Sequence, residues 1–121
     1  MSAFDHVAAI GPQPIWAGVT SRAVHGDQLT VTLIELDPGA TVPEHSHANE
    51  QVGIMIAGGA TFCIGAEAGE VTTGGTWVIR AHVPHSVTAG ADGAVVVESF
   101  APPRRDWDAH ETLPPVPGRW P

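Results

Sequence analysis

Short apolar runs rich in valine, threonine and isoleucine recur along the chain, and clusters carrying glycine or proline interrupt them every several residues. That pattern predicts many short strands joined by turns, and hence an all-β sandwich or barrel. The runs place strands at residues 19–24, 29–36, 41–46, 51–56, 60–64, 69–73, 76–79, 85–89 and 94–100. Asp37-Pro38-Gly39, Ala57-Gly58-Gly59, Thr73-Gly74-Gly75 and Ala91-Asp92-Gly93 read as the turns between them, since glycine reaches positive φ and proline presets a bend. Helical spacing is confined to residues 103–113, PRRDWDAHETL, where a short surface helix is predicted after a proline start. The remaining LPPVPGRWP is expected as an extended arm or disordered end, giving one barrel domain over residues 1–112 and a proline-rich tail over 113–121.

A length of 121 residues suits one domain with a real core. Thirteen acidic residues against five basic ones, all of them arginine, give a formal charge of -8, which argues against nucleic acid and anionic membranes as partners. The absence of lysine removes Schiff-base chemistry and the phosphate-cradling P-loop; the absence of tyrosine removes a phenolic acid. The single cysteine, Cys63, makes no internal disulfide and reads as a buried small hydrophobe rather than a nucleophile. The opening MSAFDHVAAI has no positive side chain, and the longest uncharged stretch, residues 51–66, is too short and too glycine-rich to span a bilayer. A cytoplasmic location is expected. Ser46, Ser86 and Ser99 lack the GxSxG setting of a serine nucleophile.

The chemistry concentrates in histidine. Residues two apart on a strand share a face, so His45 and His47 of HSHANEQ can converge on one ion, with Gln51 joining from the next strand and His85 from VPHSV. Imidazole suits zinc, iron, nickel, copper and manganese alike, so spacing does not choose the metal. A lone HxH is as readily an ordinary pair of polar residues on a turn. The wider pattern Gly39-x5-His45-x-His47-x3-Gln51-x6-Gly58 resembles the first motif of the cupin superfamily, with glutamine in place of its usual glutamate. Gly74-x10-His85 resembles the second motif, although Arg80 and His82 stand at its internal proline and glycine positions and Ala89 at its terminal asparagine.

The resemblance spans about residues 31–100. It implies a double-stranded β-helix, the jelly-roll barrel, holding one divalent transition metal (zinc, nickel, iron or manganese) on His45, His47, Gln51 and His85. Glu50 lies one residue off the motif and should face away from the metal. Three imidazoles and an amide cancel none of the ion's charge, which favours Lewis-acid chemistry over oxygen activation.

The segment Glu98-x-Phe100-Ala101-Pro102-x-Arg104 is similar to the last strand of cupins linked to pectin degradation, which open 4,5-unsaturated uronates to linear keto sugars. That likeness implies Glu98 as acid or base, Phe100 against the sugar ring and Arg104 on a substrate carboxylate. The plainer alternatives are an ion pair of Glu98 with Arg22 or Arg104, and Phe100 as core. Arg22, Met55, Arg80 and His82 are further pocket candidates, whereas Trp77 reads as packing and His25 as a turn residue. Trp16 and Trp107 are expected to flank the barrel and cover apolar surface at the homodimer contact the family implies.

The expected function is therefore a metal-dependent isomerase or lyase acting on an enol, keto or unsaturated sugar acid. Competing classes are a polyketide cyclase-type cupin, a dioxygenase, and a non-catalytic cupin that binds a small, possibly carboxylated, molecule.

Overall fold

The computed structural model describes residues 2–121. Among these residues the strands are β1 (Gln13–Trp16), β2 (Val19–His25), β3 (Thr30–Leu36), β4 (Thr41–His45), β5 (Glu50–Ile64), β6 (Glu67–Thr72), β7 (Thr76–Ile79) and β8 (His85–Ala101), with 3-10 turns at Val7–Ala9 and Arg105–Ala109. Their pairings are antiparallel. The first half of β5 pairs with β7 and with the second half of β8, which continues through β3 and β2 to β1. The second half of β5 pairs with β6 and the first half of β8, whose other edge takes β4. These two layers close as a jelly-roll barrel around one core, in which Val19, Ile34 and Val96 meet Val42, Ala60 and Phe62.

Two pairs of predicted strands are thus single long strands. Ala57-Gly58-Gly59 and Ala91-Asp92-Gly93 are not hairpin turns but facing irregularities where β5 and β8 pass from one layer to the other. Gly58 and Gly93 adopt φ of 77° and 72°, and a Cβ on Gly58 would lie 2.1 Å from the Gly93 carbonyl oxygen. Glycine here lets two bent strands touch, the same property that reads as a turn in a sequence. The expected helix over 103–113 shrinks to the 3-10 turn, because Trp107 points into the core instead of covering the surface. Strand β1 escaped the sequence pattern because it contains Pro14, tolerated on a strand at the sheet edge.

Cys63 is exposed on β5, not buried as expected: along this strand Phe62 points inward, so its neighbour points out. The C-terminal arm is docked. Arg119 donates through its backbone N–H and Nε to Glu35 and through Nη2 to the Leu36 carbonyl, while Arg22 donates Nη1 to Glu35 at 2.7 Å and Nη2 to the Val116 carbonyl. Arg22 is therefore spent on a buried ion pair at the outer face of β2 and β3, away from the barrel interior.

Candidate metal centre and its surroundings

Antiparallel pairing brings His45, at the end of β4, opposite His85, at the start of β8. His47 lies just past the end of β4, so the chain's return toward β5, rather than strand alternation alone, delivers it to the same place. The ligating nitrogens of the three lie within 4.8 Å of one another. Each ring is oriented by a backbone carbonyl two residues away that accepts from Nδ1–H: Pro43 for His45 at 2.8 Å, Asn49 for His47 at 3.0 Å, and Val83 for His85 at 2.8 Å. A proton held on Nδ1 leaves the Nε2 lone pair as the ligand.

Two observations test whether a cation fits there. His85 Nε2 is buried with no hydrogen-bond partner. His47 Nε2 stands 3.1 Å from Gln51 Oε1, and the Gln51 amide is fixed in that sense because its Nε2 donates to the Glu98 carboxylate. Two facing lone pairs repel unless positive charge lies between them. Burial also pushes the His85 ring down to about 4, and burial followed by the Arg104 charge lowers His47. Both rings are neutral near pH 7, as ligands must be. The donor set of His45, His47 and His85, with Gln51 Oε1 beside it, fits one divalent transition ion.

The cluster opens on an apolar cavity whose polar lining includes His45, Gln51, His85, Glu98 and Arg104. Glu98 projects from the inner face of β8 and is 6% exposed. Its Oε2 accepts from Gln51 Nε2 and, at 2.8 Å, from Trp77 Nε1. Burial raises the Glu98 carboxyl above the usual range, opposed by these two donors and by the Arg104 charge. The ion pairs weighed for Glu98 do not form: Arg22 belongs to Glu35, and Arg104 to Asp106. Phe100 is buried, its ring steeply inclined to that of His47 at a centroid distance of 5.9 Å, and it also lies under the Arg104 guanidinium.

The other pocket candidates stand elsewhere. Met55 is wholly core and does not line the cavity. Arg80 and His82 are exposed; His82 has φ of 67° and contributes its backbone N–H to the His47 carbonyl at 2.7 Å, so it shapes the ligand loop without lining the pocket. Glu50 faces outward, opposite to Gln51. Trp107 is 4% exposed and packs edge-on to Phe100, so it is part of the cavity wall rather than of an outer contact.

Three contributors were missed. Trp77 reaches Glu98; its signal was Gly53, a glycine inside a strand, which often marks a close approach. Asp106 binds Arg104, and Asn49 Nδ2 holds the Pro102 carbonyl just before Arg104. Neither was announced by spacing.

Residues 32–100 match the cupin domain family. The chain belongs to that family. This cupin superposes on an RmlC-like cupin from Shewanella frigidimarina with a TM-score of 0.82 at 21% identity, over 88% of this chain and 96% of that one. It superposes on KdgF from a Halomonas species with a TM-score of 0.80 at 22% identity, over 88% of this chain and 98% of that one. An uncharacterized protein of Streptomyces coelicolor is 29% identical over 75 residues, 62% of this cupin and 71% of that protein. The structural likenesses, at such identities, are likenesses of fold.

Proposed function

We propose that this cupin is a metal-dependent isomerase or lyase that opens a 4,5-unsaturated uronate to a linear keto sugar. The observation that carries the reading is a buried carboxylate, Glu98, joined through the single amide of Gln51 to a cluster of three histidines in an otherwise apolar cavity. The likeness of residues 98–104 to the pectin-degradation cupins and the superposition on KdgF support it.

His45, His47 and His85, with Gln51 Oε1, would hold the divalent ion. Once bound, it supplies Lewis-acid polarisation of a substrate oxygen. The chain's own groups do the rest. Ring opening of a cyclic enol ether bearing an anomeric hydroxyl removes the hydroxyl proton, forms the aldehyde C=O at the anomeric carbon, breaks the bond from that carbon to the ring oxygen and leaves an enolate on that oxygen. The enolate becomes a ketone by gaining that one proton on carbon, so protons balance and no oxidant or reductant is consumed. Glu98, raised by burial, is suited to accept the hydroxyl proton and return it to carbon. Phe100 offers a flat apolar wall, and Arg104 a fork-shaped partner for the substrate carboxylate.

A cytoplasmic location and a homodimer belong to the same proposal. Cys63 is a free thiol on the surface, and Val24, Val31, Val52, Ile54 and Val78 leave an exposed apolar band on the strands of one layer. Among the described residues no helix is long and apolar enough to cross a membrane.

The deciding experiment follows the ultraviolet absorbance of a 4,5-unsaturated uronate with metal-loaded protein, chelator-treated protein and a no-protein blank. Loss faster than the blank, abolished by chelator, is the expected result. Loss at the blank rate with every divalent ion tried would end this reading and direct the search to oxygen uptake and aromatic substrates.

A further inference from the structure

Trp77 on β7, Gly53 on β5 and Glu98 on β8 are register partners in one row across three strands. Directly opposed residues project to the same face, here the interior. Two strand spacings, about 10 Å, separate the backbones of Trp77 and Glu98, so a residue in the middle would normally keep their side chains apart. Trp77 Nε1 nevertheless donates to Glu98 Oε2 at 2.8 Å. It does so because the indole lies across Gly53: a Cβ there would stand 2.3 to 2.5 Å from Cε2, Cζ2 and Nε1 of the ring. Gly53 has no positive φ, so the chain path does not require glycine at this point; the indole does.

We infer that Trp77, admitted by Gly53, is a positioning residue for Glu98. The indole is itself held by the core, 5% exposed and packed on Phe62 at a centroid distance of 4.3 Å. Its N–H therefore comes from a rigid body, and the terminal torsion of a carboxylate, otherwise broad, is fixed by it. Oε2 is taken by Trp77 and Gln51, and among the described residues no donor is placed on Oε1. Oε1 is thus the oxygen presented to a molecule in the cavity, at an angle set from two sides. Gln51 ties that carboxylate to the histidine cluster, and Trp77 ties it to the barrel wall. The inference rests on Glu98 as the proton-transfer group of the proposed reaction.

The test uses the metal-loaded protein with Trp77→Phe and Gly53→Ala. Trp77→Phe keeps an aromatic ring and removes the donor; Gly53→Ala keeps the donor and displaces the ring. Each should lower kcat about 10- to 100-fold with KM within about twofold, as loss of an orienting partner does. In a Glu98→Gln background Trp77→Phe should cost nothing further, since both changes act through one carboxylate. The indole N–H resonance of Trp77 should lie downfield in the parent and move upfield in Glu98→Ala and in Gly53→Ala, with or without substrate.

Trp77→Phe with parental kcat, an equal loss in the Glu98→Gln background, or an indole resonance indifferent to Glu98→Ala would each overturn the inference. Should the parent turn over no uronate, the ring-opening reading falls by itself. The indole resonance then decides whether Trp77 holds Glu98: movement in Glu98→Ala upholds it, and no movement overturns it.

Discussion

Arg104 grips Asp106 with two hydrogen bonds, Nε to Oδ1 at 3.0 Å and Nη2 to Oδ2 at 2.9 Å, while its guanidinium lies 4.9 Å from the Phe100 ring centre and 4.3 Å from that of Trp107. The arginine is buried and the aspartate is 62% exposed, so the partner free to leave is Asp106. A carboxylate of the chain thus occupies the fork that a substrate carboxylate would use.

Competition follows from that pairing. A half-exposed ion pair is worth up to about 1 kcal/mol, a factor of about five. Asp106→Asn should therefore lower KM for an unsaturated uronate by up to about fivefold, with kcat little changed. Arg104→Met, which deletes a charge-assisted contact, should raise KM about 10- to 100-fold. Steady-state kinetics checks both, and a titration with saturated galacturonate followed by tryptophan emission checks them without turnover. A rise of KM in Asp106→Asn would show that the aspartate positions Arg104 instead of competing for it.

Removal of the Glu98 charge separates chemistry from metal binding. Glu98→Gln preserves shape and leaves an amide opposite Trp77 and Gln51. It should lower kcat about 10²- to 10⁴-fold, the usual range for a lost acid-base group, while the metal content per chain stays that of the parent. Elemental analysis and the absorbance assay measure the two quantities on the same sample. Full turnover in this variant would take proton transfer away from Glu98.

Acid should weaken the metal-free protein through His85. Its ring titrates at about 4 in the folded chain because of burial, against 6.5 ordinarily. The unfolded chain then binds a proton that the folded one refuses, so folding loses stability as pH falls from about 6.5 toward 4 and nothing is lost above that window. Buried Glu98 acts in the opposite direction, so the effect is isolated by comparison with His85→Gln. The urea midpoint of the parent relative to that variant should fall steadily between pH 7 and pH 4. A difference that stays constant would place the His85 titration elsewhere. On the folded chain, metal affinity should decline as pH falls through about 4, where protons begin to compete with the ion for His85 Nε2.

Cys63 offers a simple check of the strand register. Exposed on β5 and free, it should react with a thiol reagent in the native protein without denaturant, and Cys63→Ser should leave turnover unchanged. Protection of the thiol in the native protein would mean that β5 is rotated or that this surface is covered.

Much of the molecule was legible because its signals are local. Runs of β-branched residues between glycine and proline gave the strands of an all-β barrel, and the spacing of His45, His47, Gln51 and His85 gave the cluster. Both are written in residues near one another or in a family pattern. What tertiary structure decided were relationships with no local trace. Gly58 and Gly93 read as turns until β5 and β8 were paired, because glycine serves equally for a hairpin and for the contact of two bent strands. Cys63 and Trp107 exchanged places between inside and outside, since which face of a strand or turn is buried depends on what packs against it. Arg22 and Arg104 each found a carboxylate of the chain, Glu35 and Asp106. Trp77 reached Glu98 over Gly53 because register aligned three residues far apart in sequence. The sequence by itself determined which side chains are available for chemistry and the period with which strand residues alternate. Only the folded chain decided which oxygen, ring or guanidinium each one meets, because those contacts depend on the pairing of distant strands.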